Sequence, residues 1–473
     1  MQVKLCLIAA FVVGLAACEW KRHNAEYCAP GRICDQPAPP CQEDKDCDDP
    51  LFCDPDALVC VQCTIVRNEA CIGATPACGD DGRCRACEAH SECSASEACL
   101  PDGTCADPAQ VAYVKPTTLG GTDNTECTLA QPCTKPSKAL ATGRPYVKLS
   151  GTNDEGATVS ITDRNVTVLA ESDAKLVRMT NGDIVKVEGS SQVKIFDLEI
   201  SGASGGTSSG IAVPSGYTGT LTLTRVKLLK NVGRGIVLGD GGTLNVSQST
   251  IASNTGIGIF ATNGTLDISQ STISSSGNSS TPAAGISVAG GKLTVSRSML
   301  SGNSGGGLMV GSGGVFVIVG NVFVGNGLQA GVAGGISITT TQNAMNRLEF
   351  NSFTLNQAQV GIGNAIQCTA GSFTARNNIM SGNGTLTNQE QVGGPCQHAY
   401  SIARPGLKPA GATNSDGDPL FKDAANGDLH LMAGSPALKA ADPASELTGP
   451  AMLDIDGDQR ESPADMGADQ VPR

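Results

Sequence analysis

From about residue 190 to residue 385, apolar and polar positions alternate in short runs that return in the same order. Aligned on their first apolar residue, the runs read TLTLTRVKLLKN from Thr220, TLNVSQSTIASN from Thr243, TLDISQSTISSS from Thr265, KLTVSRSMLSGN from Lys292 and VFVIVGNVFVGN from Val315. Looser copies start at Gln192, Arg347 and Ser372, the second of them shorter than the rest. The leading apolar residues are then Val193, Leu221, Leu244, Leu266, Leu293, Phe316, Leu348 and Phe373, spaced by 28, 23, 22, 27, 23, 32 and 25 residues. Within a copy the alternation of Leu244 with Val246, or Leu266 with Ile268, has the two-residue period of a strand with one buried face. A second apolar run follows a glycine in each copy, at Gly210, Gly235, Gly258, Gly285, Gly307 and Gly335. Two or three strands per unit cannot bury an apolar face alone, but stacked units can. The pattern predicts a solenoid of parallel coils, each advancing about 4.8 Å, so that nine or so coils make a rod of roughly 45 Å.

One polar position shares the register. Asn231, Asn254, Asn303, Asn326, Asn356 and Asn383 each follow the apolar residue that closes the repeated run. Asparagine tolerates the left-handed backbone of a tight corner, and its amide can bond to the coils on either side. An asparagine ladder along one corner is therefore expected, against the plainer reading in which Asn and Gly only punctuate surface turns.

The two ends are different material. Residues 1–17 carry one lysine, an apolar run of about a dozen residues and small residues at the close, the pattern of a secretory signal and too short to span a bilayer. The sequence Leu15, Ala16, Ala17, Cys18 resembles the bacterial lipobox. That resemblance implies cleavage before Cys18, acylation of Cys18 and, with Glu19 rather than aspartate following, an outer-membrane or cell-surface lipoprotein. Residues 18–27 are then a tether, and the membrane is a partner through the lipid alone.

Residues 28–105 hold fourteen of the twenty cysteines. After Cys28 and Cys34 they fall into three groups of four, namely Cys41, Cys47, Cys53 and Cys60; Cys63, Cys71, Cys78 and Cys84; Cys87, Cys93, Cys99 and Cys105. Without Cys6 and Cys18 eighteen remain, an even number in an exported chain, which argues for disulfides. Modules this short cannot bury a core, so crosslinks must replace it. With 15 acidic and 5 basic residues the region has net charge −10 and reads as an acidic stalk, with protein binding as the sharper alternative. It resembles small cysteine-rich repeats of bacterial surface lipoproteins, a resemblance that implies no chemistry.

Past residue 106 the segment YVKPTTLGGTDNTECTLAQPCTKPSKAL resembles the opening of secreted right-handed parallel β-helix proteins, which implies a capping strand, loop and short helix, the loop clipped by Cys127 and Cys133. The C-terminal sequences from Asp418 to Phe421, Gly427 to Leu431, Gly434 to Ala437, Asp454 to Arg460 and Asp465 to Asp469 resemble the closing block of bacterial choice-of-anchor Q domain proteins. The resemblance spans about 360 residues and implies an all-β, right-handed parallel β-helix of the pectate-lyase-like kind over 106–440, followed by an acidic closing segment, 441–473. It implies no activity. A further pair, Cys368 and Cys396, is expected to bridge a late coil to the loop at Gly393 and Gly394.

Chemistry is sparse on this scaffold. Asp454, Asp456 and Asp458 alternate as carboxylates do in calcium loops, although Asp465 stands where such a loop carries glutamate; the alternative is turn capping. Calcium is the only cofactor suggested. A polysaccharide lyase or hydrolase needs carboxylates clustered on adjacent coils, with a cation or a basic residue. From Gly241 to Asn346 the only charged residues are Asp267, Lys292 and Arg297. Earlier coils offer Asp183, Glu188, Asp197, Glu199 and Asp240 among Lys186, Lys194, Arg225, Lys227, Lys230 and Arg234. Asp197 and Glu199, two apart, are expected on one solvated face opposite Leu198 and Ile200. Four scattered histidines and one tryptophan, Trp20, leave little for a triad, a histidine metal site or a sugar platform. Residues 106–404 carry 16 acidic and 19 basic residues without a basic aromatic stripe, which speaks against nucleic acid. The expectation is a surface lipoprotein whose β-helix is structural or adhesive, touching a cell-surface polysaccharide or protein; the alternative is a glycan-active β-helix enzyme with its site on the N-terminal coils.

Overall fold

The computed structural model describes residues 40–64, 66–327, 334–340, 343–369, 373–405 and 408–472. The signal, Cys18, Cys28 and Cys34 lie outside the described residues. None of the described helices is long and apolar enough to cross a membrane.

The chain forms two compact units, one of residues up to Glu92 with Pro101–Cys105, the other of Cys93–Leu100 with everything from Ala106 onward. In the first, disulfides join Cys41 to Cys53, Cys47 to Cys60, Cys63 to Cys78 and Cys71 to Cys84, so that first pairs with third and second with fourth in each of two modules. Hairpin strands of two or three residues, as at Phe52–Asp54 against Val59–Val61, and single 3-10 turns, as at Asp44–Asp46, are the regular structure described in these modules. Cys87, Cys93, Cys99 and Cys105 are also disulfide-bonded. The boundary differs from that read from cysteine spacing, because Cys93–Leu100 belongs with the solenoid. Ala98 and Leu100 pack with Val111, Tyr113, Leu169 and Phe196, and the Tyr113 hydroxyl donates to Ser96 O at 2.6 Å.

The second unit is a parallel β-helix. Its first strand, Val111–Val114, and the helix Pro136–Ala141 close one end, with Pro136, Ala139 and Leu140 buried. Cys127 and Cys133 are bonded in the intervening loop, as are Cys368 and Cys396 on the late coils. Each coil then passes through two sheets. Three-residue strands such as Lys227–Leu229, Thr250–Ala252 and Thr272–Ser274 stack into an eleven-stranded sheet, while an eighteen-stranded one holds the longest strands, such as Arg234–Ser247 and Gly306–Val319, together with shorter ones on the late coils. Register is set by like residues stacking in the core. Leu221, Leu244, Leu266, Leu293 and Phe316 form one column, and Leu223, Val246, Ile268, Val295, Ile318 and Leu348 another, all at 1 % exposure or less.

Two details differ from the pattern reading. The run TLNVSQSTIASN is not one strand but two, bent at Gln248 (φ 51°) between Thr243 and Thr250. Leu348 stacks on Ile318 rather than on Phe316, because the shortened copy lacks residues before the strand; Asn346 fills the gap by accepting the Phe316 N–H at 3.1 Å. The shift turns Phe350, a left-handed corner residue (φ 56°), out of the solenoid core. It is buried instead in a second cluster beneath the C-terminal segment, with Val319, Ile379, Ile402, Ala437, Ala451 and Met466.

Candidate functional site

The corners of the coils fix where every outward side chain stands. Asn231 Nδ2 donates to Asn254 Oδ1 at 3.0 Å, Asn303 Nδ2 to Asn326 Oδ1 at 2.9 Å, Asn326 Nδ2 to Asn356 Oδ1 at 2.8 Å and Asn356 Nδ2 to Asn383 Oδ1 at 2.8 Å. In most rungs the same oxygen also accepts the backbone N–H of the preceding coil's asparagine, and all six side chains are buried. These buried amides are thus satisfied by one another, which removes the desolvation penalty of placing them in the core. The left-handed residue at this corner is not the asparagine but the one before it: Lys230, Ser253, Ser275, Gly302, Gly325, Leu355 and Gly382. The row Gly210, Gly235, Gly258, Gly285 and Gly307 makes the room. A Cβ on Gly285 would stand 2.7 Å from Asn303 Nδ2 and 2.8 Å from Gly307 O.

A second buried polar column stands at the other corner, and the sequence reading missed it. Val226 N–H bonds to Ser249 Oγ, Ser249 N–H to Ser271 Oγ, Ser271 N–H to Ser298 Oγ and Ser298 N–H to Asn321 Oδ1, at 3.0–3.1 Å. Asn321, Asn351, Asn378, Ser401 and Asn414 continue it. Its signal was present as a constant offset: Ser249, Asn321, Asn351 and Asn378 each precede a ladder asparagine by five residues.

Between these corners and the glycine row, the outward face of the longer strands is built of hydroxyls. Thr222, Asn245, Asp267 and Thr294 stack in one row, and Thr224, Ser247, Ser269 and Ser296 in the next. Where that face meets the C-terminal segment, Asp267, Ser269, Thr294, Ser296 and Arg297 and the tail residues Pro450, Met452 and Leu453 line a cleft of about 310 Å³. Two of the three charges of the central coils stand in it.

The N-terminal coils hold paired rather than clustered charges. Arg225 grips Asp197 with two bonds of 2.6 and 2.8 Å, Lys175 meets Glu199 at 3.1 Å and Lys186 meets Glu188 at 2.8 Å. Asp183 accepts the Ser209 N–H at 2.6 Å, and Asp240 faces the Ser215 hydroxyl at 3.4 Å. Asp197 and Glu199 do not share a sheet face. Asp197 is itself a corner residue (φ 64°), and Glu199 opens the next short strand, with Leu198 and Ile200 buried between coils as expected.

Of Asp454, Asp456 and Asp458, the first is a turn cap. Its Oδ1 accepts the N–H groups of Asp456, Gly457 and Asp458 at 2.8–3.0 Å, and its Oδ2 that of Gln470 at 2.9 Å. Asp456 turns away to meet His430 Nε2 at 2.7 Å. Among the described residues the non-cysteine group whose ligand atoms converge is His430, Asp456 and Asp469, all within 4.8 Å of one another. Nearby, Arg460 is buried with its guanidinium 4.5 Å over the Phe350 ring and donates to Gly467 O and Ala468 O at 2.9 and 2.8 Å. Burial lowers its affinity for the proton to about 10, against the pull of Asp454, Asp469 and Asp465.

Residues 209–383 match a family model described as a right handed beta helix region, which fixes the hand of the coil. Among solved structures the chain is similar to a pectate lyase, Pel9A, at 15 % identity and TM-score 0.44 over 76 % of this chain and 96 % of that one. It is also similar to an alginate lyase from Paenibacillus sp. str. FPU-7, at 14 % identity and TM-score 0.41 over 61 % of this chain and 99 % of that one. No curated protein sequence matches it.

Proposed function

We propose that this protein is a lipid-anchored, extracytoplasmic surface protein in which an acidic cysteine-rich region carries a right-handed β-helix that binds or supports rather than cleaves. The observation that carries the reading is the outward strand face. Its rows of Thr, Ser and Asn can exchange hydrogen bonds with a hydroxylated polymer or a protein surface. The acidic groups of the N-terminal coils that would have to supply an acid, a base or a cation cage are instead engaged, Asp197 with Arg225, Glu199 with Lys175, Glu188 with Lys186 and Asp183 with the Ser209 N–H. The cleft beside Asp267 and Arg297 adds one acid and one base to that face. The lipid at Cys18 supplies attachment, and the disulfides suit an oxidising compartment.

Two measurements test it. Incorporation of a labelled fatty acid should be abolished by Cys18→Ser, and unchanged labelling overturns the anchor. Protein lacking residues 1–27, which keeps every cysteine from Cys28 onward, should retain polysaccharides or surface extracts on a column. It should neither shorten acidic or neutral polysaccharides nor generate the ultraviolet absorbance of unsaturated uronates, with or without calcium. Shortening with new absorbance replaces this reading by a polysaccharide lyase and directs attention to residues 183–240.

A further inference from the structure

The outward rows of the long strands change character at one coil. Thr222, Asn245, Asp267 and Thr294 stack in register, and the residue that follows them in the row is Val317; Thr224, Ser247, Ser269 and Ser296 are followed in the same way by Val319. Hydroxyls give way to valine where the C-terminal segment lies on the coils. Val319 is 0 % exposed beneath that segment, with Phe350, Ala437 and Ala451, and Val317 packs against the same cluster. The face that is open on the central coils is thus closed at its far end by the tail.

That wall is anchored. Ala451, between the cleft residues Pro450 and Met452 in the chain, is fully buried, and the Arg460 N–H donates to Met452 O at 2.9 Å. The cleft in front of it, about 310 Å³, is of a size that small ligands occupy. A cation stands there. Arg297 belongs to the left-handed corner row that runs through Asp197, Arg225, Gln248 and Gln270. Its backbone is held on both sides, since Ser296 O accepts the Gln270 N–H at 3.1 Å and the Ser298 N–H donates to Asn321 Oδ1 at 3.0 Å. Arg225 in the same row is gripped by Asp197, whereas Arg297 engages no acceptor among the described residues. A guanidinium fixed in a hydroxyl-lined cleft without a carboxylate of its own is a planar fork for an acid group that arrives with the ligand.

We infer that the cleft receives the terminal unit of a polysaccharide that ends in a carboxylate-bearing sugar. This rests on the binding face proposed above and names what that face recognises. The sugar's carboxylate pairs with Arg297, its hydroxyls exchange hydrogen bonds with Ser269, Thr294 and the Asp267 carboxylate, and the apolar side of its ring covers Pro450 and Met452. The remaining sugars run back along the hydroxyl rows toward Thr222 and Thr224. A chain laid that way cannot pass the tail, so the site reads an end and not an interior stretch. Asp267 sets the polarity, because it accepts hydroxyl protons and repels a second carboxylate. A peptide is the poorer fit, since extended peptides add to an unpaired strand edge and these strands are paired on both sides.

The test is calorimetric titration of the full-length protein, purified in detergent, with glucan oligosaccharides of equal length. The first carries glucuronate at both chain ends, the second has those carboxyls reduced to alcohols, and the third carries glucuronate only in its interior. The first should bind at one site per protein, about 10-fold or more tighter than either of the others. Arg297→Gln should erase that preference. Lys227→Gln, which removes a like charge from the eleven-stranded sheet, should keep it. Should Arg297→Gln fail to fold, the unsubstituted protein gives a second readout: the first oligosaccharide, and not the second, should shield Arg297 from a dicarbonyl arginine reagent, read by peptide mass. Equal affinity for the first and second overturns recognition of the acid, and equal affinity for the first and third overturns recognition of the end. No binding of any of the three, or no shielding, overturns the site. Retention of other polymers on a column, by the parent and by Arg297→Gln alike, would then leave the binding face standing without this site.

Discussion

The asparagine ladder has one natural gap, and filling it is a direct test of how the coils are held. The coil between Asn254 and Asn303 carries Ser276 at the ladder position, and Ser276 Oγ is buried with no hydrogen-bond partner. Its N–H still donates to Asn303 Oδ1 at 3.0 Å, so the backbone keeps the ladder's course. Room for an amide exists. Gly258 faces Ser276 Oγ as Gly285 faces Asn303 Nδ2, with distances from the missing Cβ of 2.9 and 2.7 Å. In Ser276→Asn the new carbonyl oxygen should accept from the Asn254 N–H and Nδ2, as Asn326 Oδ1 does from Asn303 at 3.2 and 2.9 Å. The new amide nitrogen should reach Ile251 O, as Asn303 Nδ2 reaches Ile273 O at 3.0 Å. Three buried hydrogen bonds at about 0.5–1.5 kcal/mol each, less about 1 kcal/mol for fixing the side chain, give a stabilisation of roughly 2 kcal/mol. Amide exchange read on the peptide 250–258 should slow by about 10-fold to 30-fold if that segment opens locally. Asn303→Ser, which makes a second gap, should speed exchange by a similar factor. If Ser276→Asn leaves exchange unchanged or accelerates it, the ladder amides contribute nothing beyond filling space, and the reasoning fails.

The other predictions follow from single contacts. Gly285→Ala should destabilise by about 1–3 kcal/mol, because its Cβ would meet Gly307 O at 2.8 Å; a melting temperature equal to that of the parent protein counts against it. His398, in the strand Gln397–Ala399, is buried and its imidazole is pushed down to about 4 by loss of solvent. The unfolded chain therefore takes up the proton first as pH falls. The neutral ring's stabilising contribution is whole above about pH 6.5 and is lost on the way to pH 4, about 3 kcal/mol in all, and His398→Leu should flatten the fall in melting temperature over that window. Arg460→Met should cost about 3–5 kcal/mol, since it orphans the Gly467 and Ala468 carbonyls and leaves Asp454, Asp465 and Asp469 without their cation. Arg460→Lys should recover little of this, because an ammonium cannot reach those carbonyls while lying over Phe350. Replacing Cys368 and Cys396 together by serine should lower stability by roughly 2–4 kcal/mol, measured by chemical denaturation against the intact bridge.

The sequence alone determined the solenoid, because a coil's core column is local: Leu221, Leu244, Leu266 and Leu293 recur at coil-length intervals, and stacking them is the one way such short units bury their apolar face. It also determined the corner where Asn231, Asn254 and Asn303 stand, since a polar residue fixed in an apolar register has to be bonded. It did not show the bend at Gln248, for a left-handed corner inside a run of alternating residues leaves the alternation intact. It did not show that Phe350 leaves the core, because burial by a tail a hundred residues later in the chain has no periodicity. The same holds for chemistry. Asp454, Asp456 and Asp458 are equivalent along the chain, and only folding separates a capping carboxylate from one turned toward His430. Asp469 and His430, 39 residues apart, become neighbours where the Leu431 N–H donates to Asp469 Oδ2. Periodic, nearest-coil interactions are written in the sequence because each repeats its own evidence; contacts made once, between distant segments, exist only where the tertiary fold brings them together.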